Sequence, residues 1–392
     1  MEQSMTLKKN KFILVALLIM STFITGCWDY KELDDQIIIF GTAIDYNQEN
    51  KGIILTAEIT LPTSSGKESN FSSKIYQGKG QNLMDAIVDL QSKAGRRLLW
   101  SHSKVLILSE DIIGQEKLFV GIMDWIKRAH EIRDTVWLLT THEKTAAEIL
   151  QKSNPQTQKI ISAYLDGLFL AGKSETFLDV HYSKFIKDLQ SATVCAALPT
   201  IRLEDSPNGI LPLLDGTALY YRTKEVGWLD GKRTRVLLLL MNQLKQAVFV
   251  PEPSDNHKVN GVSLKMDYCQ TDIKPILGPK GLVMEIDIKM EAQIGEIDGE
   301  QDVFTPDKIK KLIKGAQSEI TAQINELLQL LQKDYQCDVL GFGNKVEAKH
   351  PKFWKKIKNR WPNEYAQIPT AIHLKLSIFG SQESKEVTKV GP

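Results

Sequence analysis

The fold class follows first from residues 104–141, KVLILSEDIIGQEKLFVGIMDWIKRAHEIRDTVWLLTT. Lys104–Leu108 is a short apolar segment typical of a strand, and Thr135–Thr141 is strand-like as well. Between them, Glu116–Arg128 carries apolar side chains at helical spacing. A strand, a helix and a second strand in this order predict a βαβ crossover, so part of the sheet is expected to be parallel.

The flanking segments add further strands and helices on both sides of this unit. Alternating and β-branched runs predict strands at Gln36–Asp45, Gly52–Thr60, Phe71–Gln77, Gln246–Val250, Gly261–Asp267 and Leu282–Ile288. Helical spacing predicts helices at Asn82–Ala94 and Asp179–Gln190. Asp215–Tyr221 and Val226–Leu229, separated by a charged turn, predict a hairpin.

The clearest helix is predicted over residues 306–333. Thr305 is suited to cap it, Pro306 occupies its first turn, and Asp307 complements the positive helix end. One apolar stripe runs along it and is expected to lie across the last sheet. A coiled-coil dimer is the alternative, although the spacing drifts between three and four residues without a strict heptad.

These elements predict a multi-domain protein of mixed α+β and α/β character, in which helices pack on mixed sheets. The predicted divisions are a signal peptide at 1–26, an N-terminal α/β domain at 27–150, a middle domain at 151–250 and a C-terminal domain at 251–385. Prolines and Asn208-Gly209 predict a linker near 199–212. The last domain is expected to be an antiparallel sheet covered by the long helix.

Composition narrows the class of protein. The chain has 392 residues, a formal net charge of +1, 42% hydrophobic residues and 25% charged residues. These values are ordinary for globular domains and argue against disorder or a polytopic membrane protein. The balanced charge argues against a nucleic-acid binder, which needs a surplus of cations for phosphates.

The N-terminus predicts export. Lys8, Lys9 and Lys11 precede the apolar run Phe12–Phe23, which is too short to span a bilayer and suits a signal peptide. The run ends in Ile-Thr-Gly-Cys27, which resembles the bacterial lipobox. That resemblance implies cleavage before Cys27, a diacylglycerol on its sulfur and usually an acyl group on its new amine. An uncleaved amphipathic anchor, or a secretory signal with an incidental cysteine, is the alternative.

A search for catalytic or metal-binding patterns predicts no catalytic residue, cofactor or metal site. There is no G-x-S-x-G, H-E-x-x-H or C-x-x-C motif, and no pair of histidines four residues apart. Gly227–Arg233 resembles a phosphate loop but has too few residues between its glycines and lacks the Ser or Thr after the lysine. Cys195, Cys269 and Cys337 are expected to be isolated core positions.

A basic segment near the C-terminus is the candidate surface. Its cations are Lys352, Lys355, Lys356, Lys358 and Arg360, interleaved with Phe353, Trp354, Ile357 and Trp361. Pro351 is suited to begin a short amphipathic helix there. Either the aromatic residues pack on the sheet while the lysines simply face water, or the cations meet anionic lipid or an acidic partner.

Several blocks resemble one family, the Ger(x)C or GerAC-like lipoproteins, which are C subunits of spore germinant receptors. The blocks are Gly26-Cys27-Trp28-Asp29 with Glu32-Leu33, Asp215–Leu219, Val226–Leu229, Asp338–Gly343, His350–Trp354 and Asn359–Trp361. The resemblance implies three mixed α/β domains and a place on the outer face of the spore inner membrane. It also implies A-type and B-type polytopic partner subunits, membrane lipid and a role in nutrient-triggered germination, with no enzymatic activity and no nucleic acid.

Two other functions stay open at this point. A solute-binding lipoprotein of a transporter would carry two similar α/β lobes around a ligand cleft, and this chain has no matching halves. An exported hydrolase would need a catalytic constellation, which the sequence does not provide.

Overall fold

A computed structural model describes residues 36–62, 71–129, 131–155, 159–171, 175–207, 209–250, 262–279, 281–297 and 305–379. The predicted signal peptide and Cys27 lie outside the described residues. The strands are β1 Gln36–Asn47, β2 Gly52–Pro62, β3 Phe71–Gly80, β4 Arg97–Leu99, β5 Val105–Ser109, β6 Trp137–Thr141, β7 Ala196–Ser206, β8 Gly209–Tyr221, β9 Lys224–Leu229, β10 Ala247–Phe249, β11 Val262–Gly278, β12 Gly281–Ile297 and β13 Thr370–Phe379.

The helices are α1 Leu83–Ala94, α2 Glu110–Gly114, α3 Glu116–Arg128, α4 Ala147–Lys152, α5 Ile161–Leu170, α6 Tyr182–Leu189, α7 Gly231–Leu240, α8 Pro306–Gln329, α9 Phe342–Lys349, α10 Pro351–Ile357 and α11 Trp361–Tyr365. A π-helical turn, Leu330–Asp334, continues α8, and a 3₁₀ turn, Lys358–Arg360, joins α10 to α11. The predicted mixture of α and β structure is confirmed.

The larger sheet has nine described strands in the order β3-β2-β1-β5-β6-β7-β8-β9, with β4 paired beside β1. The predicted crossover is confirmed, because β5 and β6 pair in parallel from Val105 opposite Trp137 to Ser109 opposite Thr141. Every residue of both strands is buried. Their near-continuous apolar sequence therefore reflects helices or loops on both faces, as parallel sheets require.

Helix α1 packs unusually close to β3. A Cβ on Gly78 would lie 2.1 Å from the Ala86 carbonyl oxygen, and a Cβ on Gly80 would lie 2.4 Å from the Ala86 nitrogen. Only glycine allows this approach of a helix backbone to a strand. The two glycines therefore fix how α1 lies on the sheet edge.

Residues 199–212, predicted as a linker, lie instead in the β7–β8 hairpin. The two strands pair antiparallel from Ala196 opposite Tyr220 to Ser206 opposite Gly209, and Gly209 has a φ of 113°. Proline and glycine mark tight turns as readily as linkers, which is why composition alone misassigned this segment. The division of the chain into domains at 150 and 250 stays a prediction.

The smaller sheet has the order β10-β11-β12-β13. β10, β11 and β12 are antiparallel as predicted, whereas β13 runs parallel to β12. Helix α8 buries Leu312, Ala316, Ile320 and Ile324, so its apolar stripe packs within this chain. The Thr305 side chain does not cap α8; its carbonyl accepts the Ile309 N–H at 3.0 Å.

Candidate interaction surface

The predicted basic segment forms one face built from α10, the 3₁₀ turn and α11. We call Lys352, Lys355, Lys356, Lys358 and Arg360 the basic face. All five side chains are exposed. Arg360 is paired with Glu364 at 2.6 Å, whereas no acidic partner is found for the four lysines among the described residues. The lysines therefore present uncompensated positive charge to the solvent.

Aromatic side chains hold this face on the body of the protein. Trp354, Ile357 and Trp361 are buried, with exposed fractions of 5%, 3% and 1%. The indoles of Trp354 and Trp361 meet edge to face at 4.9 Å between ring centroids, a favourable geometry for aromatic pairs. The apolar side of the predicted amphipathic helix is thus used for packing, with Phe353 partly buried against the same core, and the basic side is left free.

The buried Asp338 carboxylate holds this segment together through hydrogen bonds. Its Oδ1 accepts the Phe342 N–H at 2.7 Å, and its Oδ2 accepts the Gly343 N–H at 2.8 Å and the Trp361 Nε1–H at 3.1 Å. The carboxyl is 2% exposed. Burial raises the pKa of Asp338 to about 6, although these hydrogen bonds oppose the rise. Asp338 lies in the family-like block Asp338–Gly343, but the sequence did not indicate that its carboxylate would hold the segment together.

Two thiols predicted as isolated lie next to this carboxylate. Cys195 and Cys337 are 1% and 0% exposed, and the Cys195 N–H donates to the Asp338 carbonyl at 3.2 Å. Burial, together with the neighbouring Cys195 thiol, raises the pKa of Cys337. They are core positions as predicted, but they are neighbours in space. Cys269, on β11, is half-buried.

The segment also contacts the edge of the large sheet. The Tyr335 hydroxyl donates to the Trp228 carbonyl at 3.1 Å. A Cβ on Gly227 would come within 2.4 Å of the Tyr335 ring, so the ring lies directly on the β9 backbone. Residues 335–338 therefore connect the segment that carries the basic face to the large sheet.

Among the described helices, none combines the length and apolar character needed to cross a lipid bilayer.

The class that this fold and surface define is a two-sheet α/β protein with an exposed cationic face near its C-terminus. The sequence model of the spore germination protein N-terminal domain matches residues 29–203, and that of the spore germination B3/GerAC-like C-terminal region matches residues 215–382. The chain belongs to the GerAC-like family of spore germination proteins, and the predicted resemblance is confirmed.

Relatives match along almost the whole chain. Spore germination protein KC of Bacillus subtilis (strain 168) is 24% identical over 383 residues, which cover 91% of this chain and 92% of that protein. Spore germination protein GerQC of Bacillus cereus is 25% identical over 359 residues, covering 90% and 94%. The crystal structure of the GerBC protein shares the fold, with a TM-score of 0.55 at 17% identity over 86% of this chain and 96% of that one.

Proposed function

We propose that this chain is the lipid-anchored, non-enzymatic C-type subunit of a nutrient germinant receptor in the spore inner membrane. It acts through contacts with the A-type and B-type polytopic subunits. The observation that carries the proposal is the ordered match of both family regions, at 29–203 and 215–382, behind the lipobox-like Ile-Thr-Gly-Cys27.

Lipid, rather than net charge, holds the protein at the membrane in this proposal. Removing residues 1–26, with three lysines and one glutamate, changes the 49 basic and 48 acidic residues to 46 and 47. The mature chain is then close to neutral overall. A single acyl chain binds a bilayer only marginally, whereas two or three chains anchor a protein stably.

Substitution of Cys27 tests the anchor directly. We expect Cys27→Ala to leave the precursor uncleaved and without diacylglycerol, which mass spectrometry of the N-terminal peptide detects. Nutrient-triggered germination should fall in the same spores, while spore formation is unchanged. Cys269→Ala, at a half-buried cysteine on β11, is the matched control and should retain lipid and response. Unlipidated Cys27 in wild-type protein from the native host would overturn the anchor.

The basic face is proposed to lie against anionic head groups. Each lysine near an anionic surface contributes ~1 kcal/mol. Reversal of charge at Lys352, Lys355 and Lys356 should therefore weaken binding to phosphatidylglycerol vesicles by about 100-fold or more, measured by co-sedimentation. Binding to phosphatidylcholine vesicles should not change.

A control variant separates local charge from net charge. Lys51, Lys117 and Lys127 are also exposed, but they lie elsewhere, Lys51 in the turn between β1 and β2 and the other two on α3. The triple change to glutamate there alters net charge equally and should leave vesicle binding within about twofold. Equal loss in both triple variants would assign the effect to net charge and contradict a role of the basic face.

The solute-binding alternative is disfavoured by the architecture. Such lipoproteins have two similar lobes around a cleft, whereas the two described sheets differ, with nine strands in one and four in the other. Calorimetric titration of the purified chain with amino acids and sugars distinguishes the two functions. Saturable binding with micromolar affinity would favour the transporter component.

A further inference from the structure

Three potential metal ligands meet at the carboxyl edge of the parallel strands. Glu110 is the first residue after β5, and His142 is the first residue after β6. Since Ser109 lies opposite Thr141 in the register, Glu110 and His142 leave the sheet side by side. Glu225 reaches the same place from β9. In open α/β sheets, ligands bind preferentially at this edge.

The donor atoms are close enough to share one ion. One ligand atom from each of Glu110, His142 and Glu225 lies within 4.8 Å of the other two. His142 Nε2 is 3.1 Å from Glu225 Oε1. A tetrahedral zinc site with bonds of about 2.1 Å places its ligands about 3.4 Å apart. Small side-chain rotations close the remaining difference, and the exposure of His142 leaves room for them.

A buried hydroxyl orients one of the carboxylates. The Tyr220 hydroxyl donates to Glu225 Oε2 at 3.1 Å and lies 3.2 Å from Thr140 Oγ1. Tyr220 itself is 1% exposed, so its position is fixed by packing. The Trp228 ring lies edge-on to the His142 ring, with 6.1 Å between the ring centroids, and bounds one side of the site. Hydrogen-bonded outer residues of this kind are what hold metal ligands in place.

The local charge favours a cation. Among the described residues, no lysine or arginine forms an ion pair with Glu110 or Glu225. A second group, Glu285, Asp287 and His373, has similar spacing, but the Lys274 ammonium is 3.5 Å from Asp287. That ammonium already pairs with one carboxylate of the second group, whereas no such cation pairs with the first group among the described residues, so the two groups can be compared.

We propose that Glu110, His142 and Glu225 bind one divalent transition-metal ion of the Zn²⁺ class. An imidazole with two carboxylates suits Zn²⁺ better than Ca²⁺ or Mg²⁺, which prefer all-oxygen sites. Three protein ligands leave a fourth position for water or a partner's side chain. The sequence predicted no metal site, because the three residues come from separate elements and share no spacing motif.

Titration of the tag-free, detergent-solubilised full chain with Zn²⁺ alone tests this site. We expect one ion per chain by calorimetry, with binding that millimolar Ca²⁺ or Mg²⁺ does not displace. Glu110→Gln and His142→Gln should each weaken binding at least about tenfold. Tyr220→Phe should weaken it by about tenfold through Glu225, and the Zn²⁺-dependent rise in melting temperature should shrink in parallel.

His373→Gln, in the group whose Asp287 is paired with Lys274, is the matched control and should keep wild-type affinity. Glu110 is exposed, so Glu110→Gln is expected to fold even where His142→Gln does not. The absence of saturable Zn²⁺ binding overturns the proposal. So does unchanged affinity in Glu110→Gln, or a loss in His373→Gln as large as in the site variants.

Discussion

The large sheet and the C-terminal helical segment each depend on a buried carboxylate. In the sheet the carboxylate connects a strand to a helix distant in sequence, whereas in the segment it connects neighbouring short helices. Glu58, on β2, accepts the N–H groups of Ile161 at 2.8 Å and Ser162 at 2.7 Å, and the Ser162 hydroxyl at 2.5 Å. It caps the start of α5 from about a hundred residues away. Asp338 accepts from Phe342 and Gly343, only four and five residues ahead, and from Trp361.

The difference shows how each region is stabilised. Glu58 fastens a helix to a sheet that is already held by many strand-pairing hydrogen bonds. Asp338 organises a segment of short helices with few backbone links to other elements, so its side-chain contacts decide the local structure. Loss of either carboxylate leaves buried donors without partners, which costs about 1–3 kcal/mol for each group.

The largest effect is expected at Glu58. Glu58→Ala leaves two backbone N–H groups and one hydroxyl unpaired at a position with 0% exposure. We expect the free energy of unfolding to fall by about 3–5 kcal/mol, measured by urea denaturation. Glu49→Ala, at an exposed turn, should change it by less than about 0.5 kcal/mol. A small effect at Glu58 would mean that strand pairing alone positions α5.

The pH dependence of the free energy of unfolding tests how the buried Asp338 carboxyl, compared with Glu58, contributes to stability. Its folded-state pKa of about 6 lies above the ordinary value of 3.8, so the folded protein holds the proton more tightly than the unfolded chain. The contribution of this group to stability is therefore largest below pH 4 and decreases as pH rises to about 6. The decrease is at most ~3 kcal/mol.

Asp338→Asn removes this titration. The stability advantage of wild type over Asp338→Asn should shrink between pH 4 and pH 7, measured by denaturant unfolding at several pH values. Other titrating groups are common to both proteins and cancel in the difference. An advantage that instead grows with pH would show that the three hydrogen bonds outweigh burial and that the ionised form is favoured in the fold.

Gly343 tests how tightly the segment is packed around its indoles. A Cβ at this position would lie 3.0 Å from Trp361 Cε2 and 3.1 Å from Trp354 Cη2, and both rings are buried. Gly343→Ala should destabilise the protein by about 1–2 kcal/mol and shift tryptophan fluorescence toward the red. Gly121→Ala is the control, since its added Cβ meets nothing within 4 Å in α3 and should stabilise by about 0.5–1 kcal/mol.

The smallest effect is expected at Tyr365. Its hydroxyl is buried, and none of the described residues forms a hydrogen bond with it. Tyr365→Phe removes this group with little change in shape, so stability should stay the same or rise by up to ~1 kcal/mol. Tyr220→Phe loses the bond to Glu225 and should lower stability by a similar amount. Thermal unfolding of the two variants compares them directly.

Sequence periodicity predicted the parts of the fold that depend on local pattern. The parallel pair β5 and β6 and the long α8 helix follow from apolar spacing alone. Helix α7 was not predicted, because Val236–Leu240 is a continuous buried apolar run without helical period. Residues 199–212 were misassigned because turn residues do not reveal whether the flanking segments pair.

The candidate surface was predictable only in part. The alternation of lysines and aromatic residues indicated an amphipathic face, and the structure assigns the aromatic side to packing. The supporting role of Glu58, and the meeting of Glu110 with His142 and Glu225, depend on strand register and chain crossing. No single-sequence pattern encodes contacts between residues that lie dozens of positions apart.

The position of residues 335–338 has a mechanical consequence. The Tyr335 hydroxyl is bonded to the Trp228 carbonyl, and the Asp338 carbonyl receives the Cys195 N–H. A displacement of the basic-face helices relative to the large sheet must therefore move the β9 edge and the start of β7 along with them or break these two bonds. These two bonds therefore couple the position of the basic face to that of the large sheet.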